Sequence, residues 1–160
     1  MRKERSFAGK AKIVVLALLV IYVAVLTFQN RKSSVPFQTV EEAVAAAADT
    51  GNLQRGSSQD FKKFYGLNAN DFDNVSFYYT NQAMGVEELL LVSSEDEGKI
   101  DEVQEAAEER IDTQLQSFEG YGEEQTKLLQ DAVLIKRGNY FLLAVSPQAD
   151  AVRKSFFGTI

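Results

Sequence analysis

Asp71 and Asp73 stand one residue apart in the turn-forming stretch 68–74 (NANDFDN), the opening spacing of a calcium loop. A loop of the EF-hand type needs glycine at its sixth position for a sharp turn and glutamate at its twelfth as a bidentate ligand. Counted from Asp71, those positions hold Ser76 and Gln82, so the pair reads as solvated turn residues. A second acidic group is Asp101, Glu105, Glu108, Glu109 and Asp112, with Arg110 the lone base among them. Like charges four apart slightly destabilise a helix. This group reads as a solvated face, with a docking face for a basic partner as the sharper alternative. Paired carboxylates hydrolyse glycosidic bonds when they flank a cleft, but no spacing here implies such a cleft.

The absences exclude more than the motifs suggest. The chain has no cysteine and no histidine. Disulfides, thiol catalysis and cysteine metal sites are gone, and so are the usual general base and the commonest metal ligand. Serines stand without a histidine or a persuasive lysine partner, so nucleophilic hydrolysis is unsupported. Aromatic residues crowd residues 61–79: Phe61, Phe64, Tyr65, Phe72, Phe77, Tyr78 and Tyr79. Most belong in a core. Tyr78 and Tyr79 are consecutive in a strand and so point to opposite faces. An exposed tyrosine there could bind sugar or peptide, and edge packing is the plainer alternative. No catalytic, cofactor-binding or metal-ligating residue is assigned, and no cofactor is implied.

The elements that must position these residues follow from pattern. Thr39-Val40-Glu41-Glu42 reads as a capping box opening a helix through the alanines 45–48 to about Gly51. Ser57 or Ser58 caps a second helix that ends at Gly66. Strands are expected over Val75–Thr80 and Val86–Ser93, joined as a hairpin. Ser94-Glu95-Asp96-Glu97 reads as another capping box. Ile100, Val103, Ala107, Ile111, Leu115 and Phe118 then form one apolar stripe on a long helix that stops at Gly120 and Gly122. A short helix fits residues 123–130. Val133–Arg137 and Tyr140–Val145 form a second hairpin about Gly138-Asn139. The strand YFLLAV is apolar on both faces and so should be central and covered. Ser146 as cap and Pro147 at the first position open a last helix over residues 151–157. The expected fold is α+β: a two-layer domain with a four-stranded antiparallel sheet, made of two β-hairpins and packed helices.

Ahead of this domain lies Ile13–Phe28, sixteen residues without a charge. As a helix it covers about 24 Å, a little short of the ~30 Å hydrocarbon core. Gln29 and Asn30 at the interface, with Lys12 and Arg31 snorkelling, would make up the difference. The exit 26–31 lacks the small residues of a cleavage site, and no lipoprotein cysteine is present. The expected organisation is a basic cytoplasmic tail over 1–12, too short to fold, a transmembrane anchor over 13–28, a linker over 29–38 and an extracytoplasmic domain over 39–160. Five basic residues (Arg2, Lys3, Arg5, Lys10, Lys12) precede the apolar run and two (Arg31, Lys32) follow it, which keeps the N-terminus inside. Residues 1–32 carry a net charge of +6 and residues 33–160 a net −12. So acidic a domain is a poor nucleic-acid binder and would be repelled by anionic lipid headgroups.

Several stretches carry a resemblance. They are Phe64-Tyr65-Gly66-Leu67, the strand VSFYYT, and Glu109-Arg110-Ile111 with Gln114, Phe118 and Tyr121. The run Lys136-Arg137-Gly138-Asn139-Tyr140 with Val145-Ser146 completes the set. Together they resemble a bacterial family known as domain of unknown function forty-three fifty-eight, over about residues 37–158. That family occurs mainly in Gram-positive bacteria, typically behind a lipoprotein signal, and this chain departs from it in having no lipobox cysteine. The resemblance implies an outward-facing, membrane-tethered domain and supplies no activity. The expectation is a non-catalytic binding or interaction module of the cell envelope, with an envelope protein or cell-wall component as partner. A structural subunit of a membrane complex is the alternative, and a carboxylate-dependent cell-wall hydrolase a further one.

Overall fold

The computed structural model describes the backbone of residues 2–29 and 32–160, and the side chains of residues 9–24 and 32–160. Asn30 and Arg31, expected at the end of the anchor, lie outside the described residues, as do the side chains of Arg2, Lys3, Arg5 and Leu26–Gln29. The chain divides into two compact units, Met1–Arg31 and Lys32–Ile160.

The described residues of the first unit form one helix, α1 (Arg2–Gln29). The basic segment expected as an unfolded tail is therefore helical. Arg, Lys, Glu and Ala are good helix formers, and extending an existing helix costs far less than nucleating one. Among the described residues, no helix is long and apolar enough to cross a membrane. This corrects the transmembrane anchor expected over Ile13–Phe28. Its sixteen uncharged residues fall short of a ~30 Å core, and Lys10 and Lys12 occupy the turn that would lengthen it.

The second unit is an α+β domain in the order α2 (Phe37–Ala48), β1 (Gln54–Arg55), α3 (Ser58–Tyr65), β2 (Asn74–Tyr79), β3 (Glu88–Ser93), α4 (Glu97–Phe118), α5 (Glu123–Gln130), β4 (Val133–Arg137), β5 (Tyr140–Val145), α6 (Ala149–Thr159). The sheet is antiparallel with order β1-β2-β3-β5-β4. It has five strands where four were expected. The extra strand, β1, is two residues long, too short to show a period of two. It forms because β2 offers it a free edge, with Gln54 opposite Tyr79 and Arg55 opposite Tyr78, and because the Gly56 N–H reaches the Phe77 carbonyl at 2.7 Å. The two expected hairpins are present, and they join through the central β3–β5 pair.

The layering also differs from expectation: helices cover both faces of the sheet, making three layers. One face packs Phe77, Leu90, Val92, Phe141 and Leu143 against α3, α4 and α5. The other packs Leu89, Leu91, Tyr140, Leu142 and Ala144 against α2 and α6. Every residue of β3 and β5 is buried. Each large apolar side chain gains about 1.5–3 kcal/mol by burial, so strands apolar on both faces must be covered on both. The alanines of α2 let that helix sit close to the sheet.

Helix starts differ by a residue or more from the expected caps. α2 begins at Phe37 behind Pro36, with no side-chain cap; the Thr39 and Val40 N–H groups both donate to the Pro36 carbonyl. Proline presets the entry dihedral, so Thr39 falls inside the helix. Asp96, rather than Ser94, caps α4, accepting from the Gly98 N–H at 2.9 Å. α6 starts at Ala149, and Ser146 accepts from the Gln148 N–H instead of capping the helix at Pro147. Ser57 does cap α3, in a reciprocal capping box with Asp60. Gly66 adopts the left-handed φ of 72° expected after α3.

Candidate functional site

The carboxylates singled out by spacing do not form a site. Asp71 and Asp73 are exposed, and Asp73 accepts the Glu95 N–H at 2.7 Å. That bond ties the start of β2 to the segment following β3. Asp101, Glu105, Glu108, Glu109 and Asp112 are all exposed; Asp101 pairs with Lys136, and Glu108 accepts from Gln104. Among the described residues, no three acidic side chains gather to hold a metal ion. The apolar stripe of α4 behaves as its spacing requires: Ile100, Val103, Ala107 and Ile111 are buried, and Leu115 and Phe118 pack at the margin of the same core.

The carboxylate that matters chemically is Glu88, which spacing did not single out. It opens β3, and its side chain shares the α4 side of the sheet with Leu90 and Val92, two and four residues on. Only 2% of the side chain is exposed. A buried charge is tolerated only when paired and hydrogen-bonded, and Arg110 supplies the pairing. Its Nε lies 3.0 and 2.9 Å from the two carboxylate oxygens, and its Nη2 lies 2.6 Å from Oε2. The Tyr65 hydroxyl also donates to Glu88 Oε1. Burial pushes the Glu88 carboxyl above the usual carboxylate range, and the Arg110 bonds and charge oppose that rise.

Above this pair lies a cleft of about 400 Å³ between α3 and α4. The end of α3 contributes Lys63, Phe64 and Tyr65, and the αL turn at Gly66 closes that wall. α4 contributes Ala106, Glu109, Arg110, Thr113 and Gln114, spaced so that they fall on one helix face. The Arg110 guanidinium lies 4.3 Å from the Phe64 ring centroid, a cation–π distance. Phe64 is itself held by Phe77 and Tyr79, at 5.4 and 4.9 Å between centroids. Arg110 Nη1 makes no hydrogen bond among the described residues. Gln114 keeps its Oε1 buried and without a partner. The cleft thus combines a fixed guanidinium with an aromatic wall.

Tyr78 and Tyr79 lie on opposite faces of the sheet, as their succession requires, and both are half-buried. Tyr79 packs beside Phe64 on the cleft side, where burial and then nearby Asp60 push its hydroxyl pKa up. Two signals for the site were present in the sequence. Glu87 and Glu88 are successive in the strand expected over Val86–Ser93, so one of them has to face inward. Arg110 is the lone base on an acidic helix, and it directly precedes the buried Ile111.

No curated protein and no solved structure matches the chain. A family profile described as "Domain of unknown function (DUF4358)" matches residues 46–146. That span contains Phe64, Tyr65, Gly66, Glu88, Arg110 and Gln114, every residue on which the cleft depends. The chain belongs to the DUF4358 family.

Proposed function

We propose that this domain is a non-catalytic binding module and that the cleft between α3 and α4 is its binding surface. One observation carries the reading: Arg110 is locked by Glu88, yet keeps Nη1 uncommitted in a cleft that Phe64 and Gln114 also line. A fixed guanidinium against an aromatic wall favours a ligand that offers a hydrogen-bond acceptor, such as a carbonyl. The locking costs nothing at the moment of binding, because the guanidinium is already ordered. A hydrolytic reading has less support. Both Glu88 oxygens are engaged by Arg110, and Glu109 is the one exposed carboxylate among the residues lining this cleft.

The test is site-specific photocrosslinking in cells with the full-length chain. A photoreactive residue replaces exposed Thr113 at the cleft rim, and exposed Gln130 on α5 serves as control. The expected result is a discrete adduct from position 113 only, lost in Gln114→Ala. Equal labelling at both positions, or an adduct indifferent to Gln114→Ala, would sink the reading.

A further inference from the structure

On the opposite face of the sheet, a second cleft of about 580 Å³ lies between α2 and the β1–β2 edge. Glu41 is its central charge. The side chain is 16% exposed, and one oxygen is fixed by three donors. Oε1 accepts from Ser76 Oγ at 2.7 Å, from the Tyr78 hydroxyl at 3.3 Å and from Arg55 Nη2 at 2.9 Å. Oε2 has no hydrogen-bond partner among the described residues. Ser76 and Tyr78 alternate on β2 and so hold the carboxylate from the rigid sheet. Phe37 and Tyr78 supply aromatic walls, and Glu42 adds a second negative charge.

Arg55 belongs to this cleft differently. Its guanidinium pairs with Glu41 and sits 5.6 Å from the Tyr78 ring centroid. Yet its side chain is 65% exposed, and it hangs from a strand of only two residues. The carboxylate is built in; the cation is loosely attached. The carboxylate, the aromatic face and the acidic surroundings are what a guanidinium requires, and Arg55 displays how one fits.

We infer that the Glu41 cleft is a receptor for an arginine side chain of a partner protein, and that Arg55 fills it until the partner arrives. The net −12 of residues 33–160 draws a basic partner toward this surface. The inference stands apart from the α3–α4 cleft and uses none of its residues.

The experiment titrates full-length protein with the peptide N-acetyl-Gly-Arg-Gly-amide and its lysine analogue, followed by the NMR resonances of the Arg55 Nε–H and the Tyr78 ring. The expected result is that the arginine peptide shifts Tyr78 and moves Arg55 to the position of a free side chain. Arg55→Ala should bind about two- to five-fold tighter, because an exposed ion pair holds its cation only weakly. Glu41→Gln should bind about ten-fold weaker or worse, having lost a charge-assisted bond. Should Glu41→Gln fail to fold, Arg55→Ala decides alone, since it removes only an exposed side chain. Binding that is weakened or unchanged by Arg55→Ala overturns the inference. So does a lysine peptide that binds as tightly, or a peptide that binds without releasing Arg55.

Discussion

Each face of the sheet carries one glutamate–arginine pair, and the two are built for different ends. On the α4 side, Glu88 and Arg110 are 2% and 15% exposed and share three hydrogen bonds. On the α2 side, Glu41 is nearly as well buried as Arg110, but its Arg55 partner is mostly in water. A buried pair repays its desolvation only through complete hydrogen bonding, and losing one partner strands the other. An exposed pair is screened, entropically costly and worth little. The same two residue types therefore serve as a fixed part on one face and an exchangeable one on the other. What decides is the burial of the arginine: Arg110 rises from the middle of a long helix, whereas Arg55 hangs from a two-residue edge strand.

The comparison can be broken most forcefully at Arg110. Arg110→Ala leaves Glu88 buried and unpaired, and should cost about 3–5 kcal/mol in urea unfolding. Replacing both members, Glu88→Leu with Arg110→Met, should restore most of that loss; a double variant as unstable as the single would show that the pair contributes net stability. Next in size is Gly56→Ala. A Cβ there would run into the Phe77 ring, so the segment carrying β1 must shift from β2, at about 1–3 kcal/mol. Loss of amide protection at Gly56 would report that shift.

The third effect is on pH dependence. Burial raises the folded pKa of Glu88 above its ordinary 4.5, so the folded state holds the proton more tightly than the unfolded one. Its contribution is full below about 4.5 and is lost as pH rises through the folded value. The stability of the native protein relative to Glu88→Gln should accordingly fall as pH climbs across that window. A difference that grows with pH would reverse the assignment. The smallest effect belongs to the other face: Arg55→Ala should change stability by no more than about 1 kcal/mol, measured by the same urea unfolding. A loss comparable to that of Arg110→Ala would erase the contrast between the faces.

Much of the architecture was legible because it rests on period. The stripe of α4, the alternation in β2 and the turn at Gly138-Asn139 each reflect a local rule. β1 was not legible, since two residues carry no period and their state depends on an edge formed elsewhere. The third layer was half-legible: YFLLAV was seen to need cover on both faces, but the alanine-rich α2 gave no hint of which face it would take. The caps slipped because Pro36 and Asp96 outcompeted nearby hydroxyls that had better-known patterns. The candidate site was missed for a different reason. Glu88 and Arg110 lie on separate elements, and only the tertiary fold shows that an acid in a strand and a lone base on a helix are one object. The run 13–28 misled in the opposite direction, because the absence of charge is not enough when the run is short.

The centre of the sheet has a consequence for how the chain must be made. β3 and β5 are adjacent and wholly buried, yet α4, α5 and β4 lie between them in sequence. Closing that pair means closing a long loop, which slows folding. On the ribosome, β3 emerges with its apolar residues long before β5 exists to cover its second edge. The N-terminal hairpin must wait, greasy and half-paired, for the last strand to be synthesised. Nascent chains stalled before Tyr140 should therefore be the ones that chaperones hold and proteases cut.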